Sequence, residues 1–172
     1  LLFMKNILVL GAGLVSKPLV IYLLKKNFKV KVASRTVSKA EALIKGFKNG
    51  VAEKLDIHND TKLEKLISEA ELVVSLVPYI YHLKVAKLCI QYKKHMVTTS
   101  YVSKEMQQLH DDATAAGILI LNEIGLDPGI DHMSAMKIIH EAEKKGGKIV
   151  SFKSYCGGLP ALQSNTYPFR YK

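Results

Sequence analysis

The feature that most constrains this chain is the segment N-I-L-V-L-G-A-G-L-V-S-K-P at residues 6–18. Four large aliphatic residues run directly into Gly11-Ala12-Gly13, and an apolar-periodic stretch then continues to about residue 26. That order indicates a strand, a glycine turn and a helix. A strand that is apolar on both faces is typical of a parallel sheet covered by helices on each side. The segment therefore predicts the first unit of a doubly wound α/β sheet.

The two glycines favour a dinucleotide site at this turn. Gly11 allows the chain to turn tightly, Gly13 allows a pyrophosphate to approach the backbone, and the free N–H groups of the following helix hold the phosphate charge. The third glycine of the G-x-G-x-x-G pattern is replaced by Ser16. Because G-x-G is common by chance, the prediction depends on its position between strand and helix. The alternative is a plain strand-to-helix turn.

Composition limits the possible partners. With 172 residues and 48% hydrophobic content, the chain can form one well-buried domain and a fragment of a second. Its apolar runs are far shorter than the roughly 18 residues of a membrane helix, and its start does not resemble a signal peptide. We therefore expect a soluble, cytoplasmic protein without a membrane partner.

Charge and cysteine content exclude further classes. The net charge of +10 comes mainly from dispersed lysines, so we expect no nucleic-acid partner and only a weak preference for anionic small molecules. Two cysteines make neither a disulfide framework nor a metal quartet, and they fit a reducing compartment. Since the six histidines show no ligand spacing, we expect no metal.

Six apolar segments alternate with helical patterns. The predicted strands are 6–10, 29–34, 51–56, 72–77, 95–99 and 118–121, and the predicted helices are 15–26, 38–45, 61–69, 81–92, 103–116 and a last one reaching about 145. The sequences S-K-A-E at 38–41 and T-K-L-E at 61–64 fit the capping box, so two helices should begin there. The alternation predicts one doubly wound, Rossmann-like parallel sheet.

A domain boundary is expected after Gly146-Gly147. Residues 4–147 are predicted to form the dinucleotide-binding domain. Residues 148–172 are predicted to begin a second, truncated domain, starting with a strand at 148–155, because this short polar tail cannot build a core of its own.

The end of the second strand favours NADP over NAD. In NAD-binding units a carboxylate near this position accepts hydrogen bonds from the ribose, whereas NADP-binding units place an arginine and small hydroxyl residues there. This chain has Ser34-Arg35-Thr36 and no carboxylate. NADP is therefore the predicted cofactor and NAD the alternative. If Arg35 has no binding role, it is simply an exposed basic residue in a loop. Asp56 and Ile57, after the third strand, lie where such folds place groups beside an adenine ring.

Six segments together carry a family resemblance. They are G-A-G-L-V-x-x-P at 11–18, A-S-R-T at 33–36, S-L-V-P-Y at 75–79, T-S-Y-V-S at 99–103, N-E-I-G-L-D-P-G-I-D-H at 122–132 and S-Y-C-G-G-L-P at 154–160. In combination they resemble the saccharopine dehydrogenases of the L-glutamate-forming type, also called saccharopine reductases. The resemblance covers essentially the whole chain from residue 5, and its last two segments are specific to that family.

The resemblance implies a Rossmann domain with an inserted substrate domain and a closing segment that returns to the first domain. It also implies an oxidoreductase of lysine metabolism that condenses aminoadipate semialdehyde with glutamate to an imine, delivers hydride from a nicotinamide dinucleotide, and works in reverse with water. The predicted dinucleotide-binding residues are Gly11, Gly13, Leu14, Val15, Ser34, Arg35, Thr36, Asp56, Ile57, Val77, Pro78, Thr99, Ser100 and Leu126. All except Asp56 and Ile57, which follow from their place at the end of the third strand, lie in the matching segments.

Three residues match family positions that line the substrate site. The resemblance implies catalytic roles for Tyr101, Asp127 and Cys156, and substrate contacts from Tyr101, Val102 and Asp127. Each catalytic candidate has a structural alternative. Asp127 directly before Pro128 is a good N-cap with proline at the first helical position. Tyr101 could be an aromatic residue at the rim, and Cys156 a buried thiol in a turn.

Two other hypotheses remain open. One is a dinucleotide-binding module without catalysis, a truncated unit that senses the cofactor. The other is a basic nucleic-acid-associated domain, which the absence of lysines clustered with aromatics disfavours. A homodimer is compatible with the sequence.

Overall fold

The computed structural model describes residues 5–157, and its central element is a parallel sheet. In this part of the chain six strands pair side by side: β1 Asn6–Leu10, β2 Lys29–Ser34, β3 Gly50–Lys54, β4 Leu72–Ser75, β5 His95–Thr98 and β6 Ile120–Leu121. Every pairing is parallel, and the strand order is β3-β2-β1-β4-β5-β6. This is the order of a doubly wound dinucleotide-binding sheet, so the predicted fold class is confirmed.

Helices connect the strands. They are α1 Ser16–Lys25, α2 Val37–Ile44, α3 Asp60–Ser68, α4 His82–Gln91, α5 Lys104–Gln107, α6 His110–Ala115 and α7 Ile130–Lys144, with a 3₁₀ turn at Tyr79–Tyr81 before α4. None of the helices in the described residues is both long enough and apolar enough to cross a bilayer.

Strand β1 contributes to two separate cores because successive side chains of a strand point to opposite faces. Ile7 and Val9 pack in the cluster that contains the buried residues of α1 and α2. Leu8 and Leu10 pack in the cluster formed with α3 and α4. All four are at most 3% exposed, as expected of a central strand covered on both sides.

By compactness the chain divides into two units, Leu1–His132 and Met133–Lys172. The first unit contains the whole sheet. The second begins within α7, whose last turn closes with Gly147 N–H donating to Ala142 O at 2.9 Å. The predicted functional boundary between residues 147 and 148 stays a prediction.

The predicted starts of α2 and α3 are wrong by one or two residues. Helix α3 is capped by Asn59, whose side chain accepts from the Lys62 N–H at 3.0 Å, and helix α2 follows Thr36 without a side-chain cap. The two capping-box patterns therefore lie inside the helices. Asn59 accepts from a first-turn amide, the capping role that the pattern assigned to the Thr61 hydroxyl.

The predicted helix at 103–116 is divided into α5 and α6. Ser103 caps α5, with its hydroxyl accepting from Met106 N–H at 3.2 Å. The break follows from a change in hydrogen bonding, since Leu109 N–H donates to Met106 O three residues back instead of four. Such a tightened turn interrupts an α-helix while keeping Met106 and Leu109 buried.

The strand predicted at 148–155 does not occur, because a strand requires a hydrogen-bonded neighbour and none of the described residues pairs with this segment. Its Val150 and Tyr155 side chains are almost fully exposed. Four sheet strands are also shorter than predicted: β3 and β4 end two residues earlier, β5 ends one residue earlier, and β6 begins two residues later.

We predict that Asn49→Asp destabilises the fold more than Asn49→Ala. The half-buried Asn49 amide donates to Leu24 O at 2.9 Å and Phe28 O at 2.7 Å, joining the end of α1 to the start of β3. Alanine removes both hydrogen bonds, at about 1–3 kcal/mol, although Leu24 O still accepts from Asn27 N–H, whereas aspartate also places a negative charge against the two carbonyls. Urea unfolding measures both.

Gln91→Ala removes an exposed amide at the end of α4 and serves as the control, with an expected change within about 0.5 kcal/mol. A variant with aspartate at position 49 that is as stable as the alanine variant would contradict the assigned contacts.

Candidate functional site

The predicted dinucleotide-binding residues all lie at or beyond the carboxyl ends of strands or in the turn before α7. They follow or end β1 (Gly11, Gly13, Leu14, Val15), β2 (Ser34, Arg35, Thr36), β3 (Asp56, Ile57), β4 (Val77, Pro78), β5 (Thr99, Ser100) and β6 (Leu126). Strand order reverses between β1 and β4, and open α/β sheets bind ligands at such a switch point. The fold thus brings these positions to one edge of the sheet, and their binding roles stay predictions.

The glycine turn is fixed by backbone contacts. Gly11 has a φ of +113°, and a Cβ there would lie 2.8 Å from Leu76 O, so only glycine fits without strain. Its N–H donates to Ala33 O at 2.8 Å. Ser16, in the third-glycine position, is fully buried and donates its hydroxyl to Gly11 O at 3.2 Å. The serine therefore fastens the turn to α1 in place of the close packing that a glycine allows.

The start of α1 fits a phosphate group. A Cβ on Gly13 would meet no atom of the described residues within 4 Å, so the backbone is open to an approaching ligand. Among the same residues no side chain caps this helix, which leaves first-turn N–H groups for an anion. Leu14 and Val15 are 101% and 69% exposed beside this opening.

Arg35 is available for a second phosphate. It is exposed directly after β2, next to the half-buried Ser34 and the exposed Thr36. Within residues 5–157 no carboxylate forms an ion pair with it. A guanidinium that is not engaged in such an ion pair can donate two parallel N–H hydrogen bonds to a ligand phosphate.

The loop after β3 is held against α4. The Asp56 carboxylate accepts from His58 N–H at 3.0 Å, forming a local turn. Lys84 donates to Ile57 O at 2.9 Å, and the Tyr81 hydroxyl lies 3.1 Å from His58 Nε2. These bonds fix the backbone that presents Asp56 and Ile57 at the sheet edge.

Two catalytic candidates are in direct contact. The Tyr101 hydroxyl, after β5, donates to Asp127 Oδ1 at 2.7 Å, and both side chains are exposed. The N-cap interpretation of Asp127 is wrong, since α7 begins only at Ile130. Asp127 instead occupies a turn, before a cis peptide bond to Pro128. Its carboxylate accepts the hydrogen bond of the Tyr101 hydroxyl.

Glu123 braces the loop that carries Tyr101. Its N–H donates to Ser100 O at 3.1 Å, and its carboxylate accepts from Val102 N–H at 3.1 Å. Glu123 thus binds the residues immediately before and after the tyrosine. It does so with a φ of +62°, a region that non-glycine residues seldom occupy and that is concentrated at functional sites.

The sequence-based reading missed a buried histidine. His82, the first residue of α4, is 5% exposed, with Nδ1 2.9 Å from the Ser75 hydroxyl and Nε2 2.9 Å from Ser100 and 3.1 Å from Thr98 hydroxyls. Burial lowers the pKa of His82, which keeps the imidazole neutral at pH 7. The available clue was that hydroxyl residues interrupt the apolar ends of β4 and β5, where a polar partner is required.

Comparisons with known proteins decide the family. Residues 7–121 match the family described as saccharopine dehydrogenase NADP binding domain, and residues 125–172 match the saccharopine dehydrogenase C-terminal domain. The chain belongs to the saccharopine dehydrogenase family. The resemblance predicted from the six sequence segments is therefore confirmed, and residues 7–121 are the NADP-binding domain of this family.

Relatives of this saccharopine dehydrogenase family member are longer than the chain. Saccharopine dehydrogenase (NADP(+), L-glutamate-forming) of Schizosaccharomyces pombe is 50% identical over 170 residues, which cover 98% of this chain and 38% of the relative. Alpha-aminoadipic semialdehyde synthase of Arabidopsis thaliana is 42% identical over 188 residues, 97% of this chain and 18% of the relative. Apo saccharopine dehydrogenase (L-Glu forming) from Saccharomyces cerevisiae superposes with a TM-score of 0.82 at 44% identity, covering 95% of this chain and 37% of that structure. The chain spans less than two fifths of each.

The two cysteines of this family member differ in environment. Cys89 is fully buried in α4, and burial raises its pKa to about 12, so it is a packed core thiol. Cys156 is exposed and belongs to the second unit, so the alternative of a buried thiol is wrong. Its catalytic role stays a prediction. Within residues 5–157 no three His, Cys, Asp or Glu residues group as metal ligands.

We predict that Gly13→Val abolishes dinucleotide binding and leaves the melting temperature of the ligand-free protein within a few degrees. The space around a Cβ at position 13 is open, so a side chain does not disturb the fold, but it occupies the path of the pyrophosphate. A titration of NADPH fluorescence and a thermal melt measure the two effects.

Gly11→Ala is the matched comparison. There the added Cβ meets Leu76 O at 2.8 Å with φ at +113°, so we expect a clear loss of thermal stability. Retained NADPH binding by the Gly13→Val protein would place the phosphates elsewhere.

Proposed function

We propose that the protein interconverts saccharopine with glutamate and aminoadipate semialdehyde, using NADP. The observation that carries the proposal is the Tyr101–Asp127 pair, joined at 2.7 Å beside the NADP-binding domain. The pair follows β5 and β6, at the same carboxyl edge of the sheet at which α1 begins. A proton-transferring pair next to a hydride carrier is what reduction of an imine requires.

The dinucleotide is held at four points in this proposal. The backbone of Gly11 to Gly13 and the start of α1 take the pyrophosphate, and Arg35 with Ser34 and Thr36 takes the 2′-phosphate. Asp56 and Ile57 border the adenine, while Val77, Pro78, Thr99 and Leu126 border the nicotinamide side. When bound, NADPH supplies hydride and NADP⁺ accepts it.

The chain's own residues then move protons. The glutamate amine adds to the aldehyde carbon to give a carbinolamine, which loses water to form an imine, and hydride addition at that carbon gives saccharopine. As a carboxylate that accepts the Tyr101 hydrogen bond, Asp127 takes the proton released from nitrogen when the carbinolamine forms. It passes that proton to the alkoxide oxygen of the carbinolamine. A second proton, which Asp127 takes up from solvent, then leaves with the hydroxyl as water and gives a protonated imine, while Tyr101 holds the Asp127 carboxylate in position. Val102 is a further proposed contact of the substrate, and the catalytic role that the resemblance implies for Cys156 stays a proposal.

Two alternatives to this proposal can be tested, and two further properties are proposed with it. NAD replaces NADP if Arg35 contributes nothing to affinity. A cofactor-binding module without catalysis is the correct description if the full-length gene product binds NADPH but does not oxidise saccharopine. We propose a cytoplasmic location, which fractionation of the native protein would establish, and a homodimer, which its sedimentation would establish.

We predict that the protein binds NADPH about ten- to a hundredfold more tightly than NADH, because a charge-assisted pair with the 2′-phosphate contributes roughly 1.5–3 kcal/mol. Arg35→Ala should remove that preference. Lys25→Ala, which removes a charge from the last turn of α1 at the opposite edge of the sheet, should leave the ratio unchanged. Fluorescence titrations of both cofactors measure it, and an NADPH:NADH affinity ratio that is the same in the Arg35→Ala protein would refute the assignment.

We predict that Asp127→Asn lowers turnover of saccharopine in the full-length gene product by roughly a hundredfold or more, the loss typical of a positioned acid or base. Asparagine keeps an oxygen that accepts the Tyr101 hydrogen bond but cannot ionise. Because the side chain is exposed, the melting temperature should stay nearly constant. Asp111→Asn, on the exposed surface of α6, is the control. Unchanged turnover would exclude Asp127 from proton transfer.

A further inference from the structure

The buried His82 imidazole connects the ends of two neighbouring strands. Nδ1 contacts Ser75 at the end of β4, and Nε2 contacts Thr98 at the end of β5 and Ser100 just beyond it. A neutral imidazole has one N–H donor and one acceptor nitrogen, so three hydroxyls satisfy it from both sides. An apolar side chain at the first position of α4 would fill this buried space equally well. Packing therefore does not explain why a histidine surrounded by three hydroxyls lies there.

Ser100 links His82 to the candidate catalytic residues. It is directly followed by Tyr101, whose hydroxyl reaches Asp127. On its other side the Ser100 carbonyl accepts from Glu123 N–H. The residue before the tyrosine is thus held through its side chain by His82 and through its backbone by Glu123. A tyrosine on an exposed loop owes its direction to such anchors, since its own ring is 64% exposed.

We propose that His82 is a positioning residue, which holds Ser100 and through it orients Tyr101 toward Asp127. The inference rests on the proposed function for its effect on turnover, but the orientation of Tyr101 can be observed without turnover. Displacing a reacting group by about 1 Å costs roughly a hundredfold in rate, so loosening this anchor affects catalysis more than cofactor affinity.

Asparagine and glutamine separate the two halves of the imidazole. An asparagine amide at position 82 reaches the place of Nδ1 and can bond to Ser75, whereas a glutamine amide reaches the place of Nε2 and can bond to Ser100 and Thr98. Positioning requires the second contact. His82→Gln should therefore keep the orientation of Tyr101, and His82→Asn should lose it, although both replace the ring with an amide.

The direct test places 3-fluorotyrosine at position 101 and records its ¹⁹F spectrum in the ligand-free chain. We expect one sharp line in the unaltered protein and in the His82→Gln protein, and a shifted or broadened line in the His82→Asn protein. In the full-length gene product, the Asn variant should lose about ten- to a hundredfold in kcat with NADPH affinity within about twofold, and the Gln variant should recover most of it. Identical spectra for the Asn variant and the unaltered protein, or equal loss of kcat in both variants, would overturn the proposal.

Ser75→Ala is the matched control, because it removes a buried hydrogen bond to the same ring on the side away from Tyr101. It should leave the ¹⁹F line in place. If a variant at position 82 fails to fold, Ser100→Ala decides the question: a displaced line supports the link, and an unchanged line overturns it. Absence of saccharopine turnover in the unaltered full-length protein would refute the proposed function, while the ¹⁹F spectra would still decide the role of His82.

Discussion

The close approach of Gly11 to the backbone of Leu76 determines the geometry of the carboxyl edge. At this point β1 and β4 separate, and the chain after each strand turns in a different direction. Because Gly11 has no side chain, its backbone can approach the Leu76 carbonyl closely. The ends of β1 and β4 therefore stay close together where α1 begins. An open helix start at a switch point results directly from this contact. The residues after the other strands then surround the same place.

The site combines rigid anchors with exposed functional groups. Gly13, Arg35 and Tyr101 are exposed, yet each follows a strand buried in one of the two cores. Second contacts hold the intervening loops: Lys84 fixes the loop after β3, and Glu123 fixes the loop after β5. These exposed residues therefore lie on loops whose backbone is held by hydrogen bonds, and a binding site must be held in this way to position a ligand.

The sequence predicted the sheet because hydrophobic periodicity is a local property. Strand β1 and the turn at Gly11 could be read directly, and the family segments supplied Tyr101 and Asp127. The capping of α3 by Asn59 was missed because a capping-box pattern two residues later also fitted. The hydroxyls that end β4 and β5 indicated a polar partner, but the sequence did not identify it as His82. Its partners are 7, 16 and 18 residues away and meet it only when β4 and β5 pair. The turn at Asp127 was misassigned for a similar reason, because its partner Tyr101 is 26 residues distant.

The thiols of Cys89 and Cys156 differ in reactivity because one is buried and the other is exposed. With a pKa of about 12, Cys89 exists as thiolate in only roughly one molecule per hundred thousand at pH 7, and its sulfur is fully enclosed. Cys156 is exposed, and the chain has no third cysteine. Thiol-alkylating reagents therefore encounter a single accessible thiol while the first unit is folded. Labelling of Cys89 becomes a chemical measure of how often α4 leaves the sheet, independent of any ligand.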